Sequence, residues 1–191
     1  MCSRFELSAA SGTVAARFGL RVPPPLPEKA EIRPTDAALV IGRDGARLAR
    51  WGLVPAGGGR PLINARAETL TTRPTFRRLL RSRVLIPATA WWEWRKTPGI
   101  RKRTRMRIAA SGAGVFAFAG LLDGDRFTVV TCAAVPAITG IHERMSLVLR
   151  AEGEALWLDA AADVAAALVP YDGALDSREE EGPRPPDLFG G

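Results

Sequence analysis

Val115-Phe116-Ala117-Phe118-Ala119-Gly120-Leu121 and Phe127-Thr128-Val129-Val130-Thr131-Cys132-Ala133 are two runs rich in β-branched and aromatic residues, with Gly124 in the turn between them. Both have the length and composition of buried strands. Upstream, residues 84–87, 90–94 and 105–109 read the same way, and Gly112 and Gly114 supply the next turn. Residues 38–41 and 48–54 form a hairpin around Gly42-Arg43-Asp44-Gly45. A last strand is expected at 146–149. The predicted helices are short: 8–18, with Val14, Ala15 and Phe18 on one face, then 76–80, 154–158 and 160–168. Residues 21–27 are proline-rich and irregular. Many short strands with few helices predict an α+β fold, a single domain built on a curved, barrel-like mixed β-sheet with peripheral helices. The domain is expected to span 1–170. Residues 171–191, rich in Gly, Pro and acid, read as a flexible tail.

The chain has 191 residues, enough for one domain with a substantial core. No apolar run approaches the roughly 20 residues that span a bilayer, and no signal-peptide pattern opens the chain. A cytoplasmic protein without membrane contact is expected. Cys2 and Cys132 are the only cysteines and His142 the only histidine. That excludes a disulfide framework and leaves too few ligands for a zinc site, so neither metal nor cofactor is expected. The net charge of +7 is unevenly placed. Arginines crowd 73–83 and 95–107, while Glu179-Glu180-Glu181 lie near the C-terminus. Such asymmetry suits a polyanion, although wholesale use of Arg for Lys gives the same charge with no partner. Gly57-Gly58-Gly59 is not a phosphate loop, because no Gly-Lys-Ser/Thr follows.

Cys2 is the most informative single residue. Removal of Met1 would leave an α-amine and a thiol on one residue, a pair that closes a thiazolidine ring on an aldehyde. Their reference pKa values, about 7.7–8.0 and 8.5, leave a minority of each nucleophilic at neutral pH. Glu93, in Trp91-Trp92-Glu93-Trp94, is a carboxylate among three tryptophans, a setting that desolvates it and raises its pKa. Strand alternation places it with Trp91 and puts Trp92 and Trp94 on the other face. His142 has the one side chain whose ordinary pKa lies between 5 and 8. Asn64, Arg66 and Glu68 share one side of an extended segment. Arg4 and Arg144 are fork-shaped donors suited to phosphate. Trp51 and Trp94 could stack on bases, with core packing the competing role.

Taken together, these segments resemble the SOS response-associated peptidase (SRAP) family, whose members crosslink to abasic sites in single-stranded DNA. The resemblance rests on Met1-Cys2-Ser3-Arg4-Phe5, Ile32-Arg33-Pro34-Thr35, Trp51-Gly52-Leu53-Val54-Pro55, 63–69, Leu85-Ile86-Pro87 with Trp92-Glu93-Trp94, Phe118-Ala119-Gly120-Leu121, and 141–145, in that order. The chain departs from the pattern at Ser3, where glycine is usual, at Val135, where asparagine is common, and at Ser146, where proline is usual. Its 56–61 loop is short. The resemblance implies a thiazolidine crosslink through the Cys2 amine and thiol after Met1 is removed. It makes Glu93 the proton carrier, Asn64 a hydrogen-bond support and His142 the group that opens the sugar ring. Arg4, Arg66 and Arg144 would hold phosphates, with Trp94, Trp51 and Pro34 against bases. The partner would be single-stranded DNA carrying abasic sites, met by a bacterial-type monomer at the nucleoid and replication fork. Two other readings use the same residues: a cysteine peptidase with Cys2 as N-terminal nucleophile, acting on other proteins or only on Met1, and a non-catalytic single-stranded DNA-binding module.

Overall fold

The computed structural model describes residues 2–99 and 101–181. Its strands are β1 (Phe5–Glu6), β2 (Glu31–Ile32), β3 (Ala37–Gly42), β4 (Gly45–Trp51), β5 (Asn64–Arg66), β6 (Arg83–Ala88), β7 (Ala90–Arg95), β8 (Thr104–Ala110), β9 (Phe116–Asp123), β10 (Arg126–Ala133), β11 (Arg144–Ser146), β12 (Val148–Leu149) and β13 (Leu175–Glu179). They form two sheets. In the larger, β10, β4, β3, β6 and β9 follow one another, and β9 pairs back onto β10, so these strands close a ring. The ring is mixed, because β4 runs parallel to β10 while the other pairs are antiparallel. The smaller sheet runs β13-β8-β7-β1-β2. The curved mixed sheet with short helices expected from the sequence is therefore present.

The two sheets share one core. β6 is buried at every position, and β7, one residue later, carries Trp91 into the same apolar interior. There Trp91 meets Phe116 and Phe118 edge-on at 5.9 and 5.7 Å, and Phe5 meets Trp51 at 5.1 Å. Rings at such angles gain quadrupole attraction beyond burial. The β3–β4 hairpin closes at Gly42 and Gly45, as the turn residues indicate. Gly52 then turns the chain out of β4 at φ 120°, a left-handed conformation that favours glycine. The chain returns through a Leu53–Leu62 bridge into β5, which lies parallel to β10.

Several boundaries differ from expectation. The first helix begins at Ser11 rather than Ser8 and ends as expected at Phe18, with Gly19, at a φ of 62°, as its left-handed C-cap. The expected helix 160–168 contracts to Val164–Ala167, capped by the Asp163 side chain. The expected strand 146–149 is split into β11 and β12. The irregular tail expected from residue 171 is corrected in part: β13 pairs along β8 from Leu175 to Glu179. Composition hides this strand because its alternating charges lie on a solvated surface, and its order comes from backbone pairing rather than burial. The remainder of the tail, 182–191, lies outside the described residues, as does Met1. Among the described residues, no helix is long and apolar enough to cross a membrane.

Candidate active site

β1 carries the N-terminal segment antiparallel along β7, with Phe5 opposite Trp91. Trp92 N–H donates to the Arg4 carbonyl at 3.1 Å and extends that pairing toward the N-terminus. Cys2 is thereby placed near Glu93, whose charge acts on its thiol. From the other side, Asn64 in β5 donates through Nδ2 to the Cys2 carbonyl at 2.8 Å. Trp51 fixes the segment that holds Asn64, its Nε1 donating to the Ile63 carbonyl at 2.8 Å. β5 and β7 thus clamp Cys2 between a neutral amide and a carboxylate.

Burial governs the chemistry of both. Glu93 is only 1 % exposed, and desolvation raises its carboxyl pKa from 4.5 to about 7. At neutral pH it can take or release a proton at little cost. Cys2 is fully buried, and desolvation, followed by the charge of Glu93, pushes its thiol up to about 12. The thiol is therefore protonated at rest, with Sγ at 3.5 Å from the Arg4 carbonyl.

His142 lies in the turn before β11. Its Nδ1 accepts from Arg144 N–H at 3.0 Å, which assigns the proton of the neutral ring to Nε2. Burial lowers its pKa, so it is neutral at pH 7. The Arg144 guanidinium forks onto Glu68 at 2.9 and 3.0 Å and reaches the Thr131 carbonyl at 2.9 Å. Those donors, ahead of the opposing effect of burial, hold the Glu68 carboxyl below its usual range. The strand side expected to unite Asn64, Arg66 and Glu68 ends at Arg66, and Glu68 enters a short 3-10 turn facing Arg144.

The expected DNA contacts divide. Arg66 is exposed beside Asn64. Arg4 is 3 % exposed and bound to Glu31 at 2.5 Å, with its guanidinium 5.9 Å from the Trp94 ring centroid. In this arrangement a carboxylate occupies the position expected for a phosphate. Pro34 is half-buried, just ahead of Thr35, which has a φ of 76°. Trp51 is a correction. It is fully buried and stacked on Phe127 at 6.2 Å, so no base can reach its ring.

Sequence reasoning missed Glu31. Burial opposes its charge, but donors from Arg105, Arg4 and Arg33 outweigh that and hold its pKa low. It missed Arg105 as well, which bonds Glu31 at 2.8 Å and stacks 4.3 Å over Trp92. Glu31 lies in a two-residue strand with no periodic signal, and only strand register brings these groups together. Among the described residues, no group of three or more His, Cys, Asp and Glu is placed to hold a metal.

Residues 1–179 match the family model described as SOS response associated peptidase (SRAP). The chain belongs to this family. It is 33% identical over 181 residues to the abasic site processing protein YoaM of Bacillus subtilis, covering 83% of this chain and 79% of that protein. It is 35% identical over 117 residues to the abasic site processing protein YedK of Escherichia coli, covering 56% of this chain and 52% of that one. A solved structure from Bacteroides thetaiotaomicron has the same fold, with a TM-score of 0.82 at 24% identity, covering 94% of this chain and 92% of its own.

Proposed function

We propose that this protein processes abasic sites in single-stranded DNA by capturing them covalently through Cys2. The observation that carries the reading is the position of Cys2, held by Asn64 beside a buried Glu93 with a pKa of about 7. Relatives whose names describe abasic site processing support it. After Met1 is removed, the neutral α-amine adds to the C1′ aldehyde of the ring-opened sugar. Glu93 relays the two nitrogen protons in turn to the former aldehyde oxygen, one as the C–N bond forms and one as that oxygen leaves as water, giving a neutral Schiff base. The thiol then adds to C1′, the C=N electron pair moves to nitrogen, and nitrogen takes up the thiol's proton to complete the thiazolidine. Neutral His142 gives its Nε2 proton to the ring oxygen as the C1′–O bond breaks, and the C1′ hydroxyl proton replaces it on Nε2, so the aldehyde forms and the imidazole ends neutral. Arg66, with Arg144 and Arg4 once phosphate displaces their carboxylates, holds the strand on either side of the lesion. Such a protein works as a monomer where single strands are exposed, at the replicating nucleoid. The thiol pKa of about 12 supports amine-first chemistry over a peptidase that attacks with a resting thiolate.

The test is direct. Intact mass spectrometry establishes loss of Met1, and the protein is mixed with single-stranded DNA bearing one abasic site and run on a denaturing gel. A slow-migrating adduct is expected with wild type and absent with Cys2→Ala. A stable adduct in equal yield with Cys2→Ala, or none with a wild type shown to lack Met1, overturns the reading.

A further inference from the structure

Among the described residues the buried arginines are Arg4, Arg83 and Arg105. Arg4 and Arg105 are both neutralised by Glu31, at 2.5 and 2.8 Å. Arg83, the first residue of β6, makes no such pair among the described residues. Its Nη2 donates to the main-chain carbonyls of Asp159 and of Ala162, the latter at 3.3 Å, and its Nε and Nη1 have no partner. The guanidinium lies 5.5 Å from the ring centroid of Trp157, which is itself fixed by donating through Nε1 to the Val84 carbonyl at 3.0 Å. Burial works against the charge of Arg83, and the Asp159 carboxylate offsets this only in part. A buried cation without an opposite charge is among the costliest groups a fold can hold.

Arg83 lines a cleft of about 480 Å³ between the β3–β4 turn and the start of β6. Arg43, Arg47 and Arg81 line the same cleft, and all three are exposed. The carboxylates there are Asp44, on the cleft, and Asp159, 3.9 Å from Arg43. Four guanidinium groups against two carboxylates leave an excess of two positive charges. Part of the wall is apolar, and low-dielectric walls strengthen the field of such charges. None of these residues belongs to the site around Cys2. β6 runs about 17 Å from Arg83 to Ala88 before the chain turns into β7, so the cleft lies at the end of β6 away from Glu93.

We propose that this cleft is a second anion site, which takes a phosphate group carrying two negative charges, either free or at the end of a nucleotide. Arg43, Arg47 and Arg81 supply planar forks that grip phosphate oxygens. Arg83 supplies a buried charge behind them and gains the counter-charge it lacks. The excess of two positive charges matches a terminal phosphate, which carries close to two negative charges at neutral pH. A carboxylate or an internal phosphodiester carries one and leaves half of the excess unanswered. The site is independent of covalent capture at Cys2 and stands whether or not that reading does.

The test uses the full chain. Inorganic phosphate and thymidine 5′-monophosphate are titrated separately, with chloride at the same ionic strength as the blank, and followed by amide NMR shifts and by calorimetry. Shifts are expected at residues 42–47 and 81–84 with both ligands. The double variant Arg43→Ser, Arg81→Ser changes exposed positions, and its fold is checked by circular dichroism. Its affinity is expected to fall at least about tenfold, the effect of losing one charged hydrogen bond. Arg66→Ala, beside Asn64, should bind phosphate at this cleft as wild type does. Phosphate should also raise the urea midpoint of wild type more than that of Arg83→Met. Tighter binding of the nucleotide than of phosphate identifies the source as a nucleotide, and equal binding identifies it as free phosphate; either upholds the site. Shifts confined to the surroundings of Arg66 and Arg144, shifts no larger than chloride produces, undiminished affinity in the double variant, or an equal rise in midpoint with Arg83→Met overturn the proposal.

Discussion

The two faces of β7 carry similar side chains in opposite circumstances. On the inner face, Trp91 packs among Phe116 and Phe118, and Glu93 follows it into the interior. On the other, Trp92 and Trp94 are covered by guanidinium groups, Arg105 over Trp92 and Arg4 near Trp94. Trp92 Nε1 also donates to Glu180 at 2.5 Å. Alternate residues of one strand thus divide the work. The inner face desolvates a carboxylate, and the outer assembles aromatic rings with cations. Placing a reactive carboxylate on the core side of a strand is what lifts its pKa.

The largest effect expected of breaking this contrast is Trp91→Ala, at about 3–5 kcal/mol of stability, read by urea unfolding. Trp92→Ala, outside the core cluster, should cost clearly less. Glu93 comes next. Its folded pKa of about 7 lies above the ordinary 4.5, so the folded state holds the proton more tightly. The stability this confers is complete below about pH 4.5, falls as pH rises through about 7, and totals about 3 kcal/mol. Glu93→Gln should flatten that portion of the stability–pH curve and slow adduct formation about a hundredfold with the fold intact by circular dichroism. Trp94→Ala, on the outer face, should weaken binding of intact single-stranded DNA by about 1 kcal/mol, the low end for a stacked base, given that the ring is only 8 % exposed. Asn64→Ala is the mildest at about 0.5 kcal/mol, the low end for one lost hydrogen bond, here the one to the Cys2 carbonyl. Fluorescence anisotropy for Trp94 and gel time courses for Asn64 check these values.

What was legible in the sequence follows the same division. The burial of Glu93 could be read because three tryptophans announce a dry strand and alternation assigns the faces. The hairpin could be read from its turn residues. Trp51 could not be placed, because a tryptophan's composition is the same whether it meets a base or a core, and only Phe5 and Phe127 around it decide. Glu31 was invisible as a site residue for a related reason. It acquires its role from partners far along the chain, Arg4 and Arg105, through β1, β7 and β8. Strand register creates those meetings, and no local pattern records it.

β13 has a consequence for how the molecule keeps to itself. Without it, β8 would present a row of unpaired backbone donors and acceptors, a template for any extended chain, including another copy. β13 covers that row and faces outward with Asp176, Arg178 and Glu179, a charged margin that discourages further addition of strands. A chain cut ahead of Leu175 is therefore expected to associate with itself, visible as earlier elution on size exclusion, while its core remains as it was. The acidic stretch that composition marks as a tail serves as the gatekeeper of the smaller sheet.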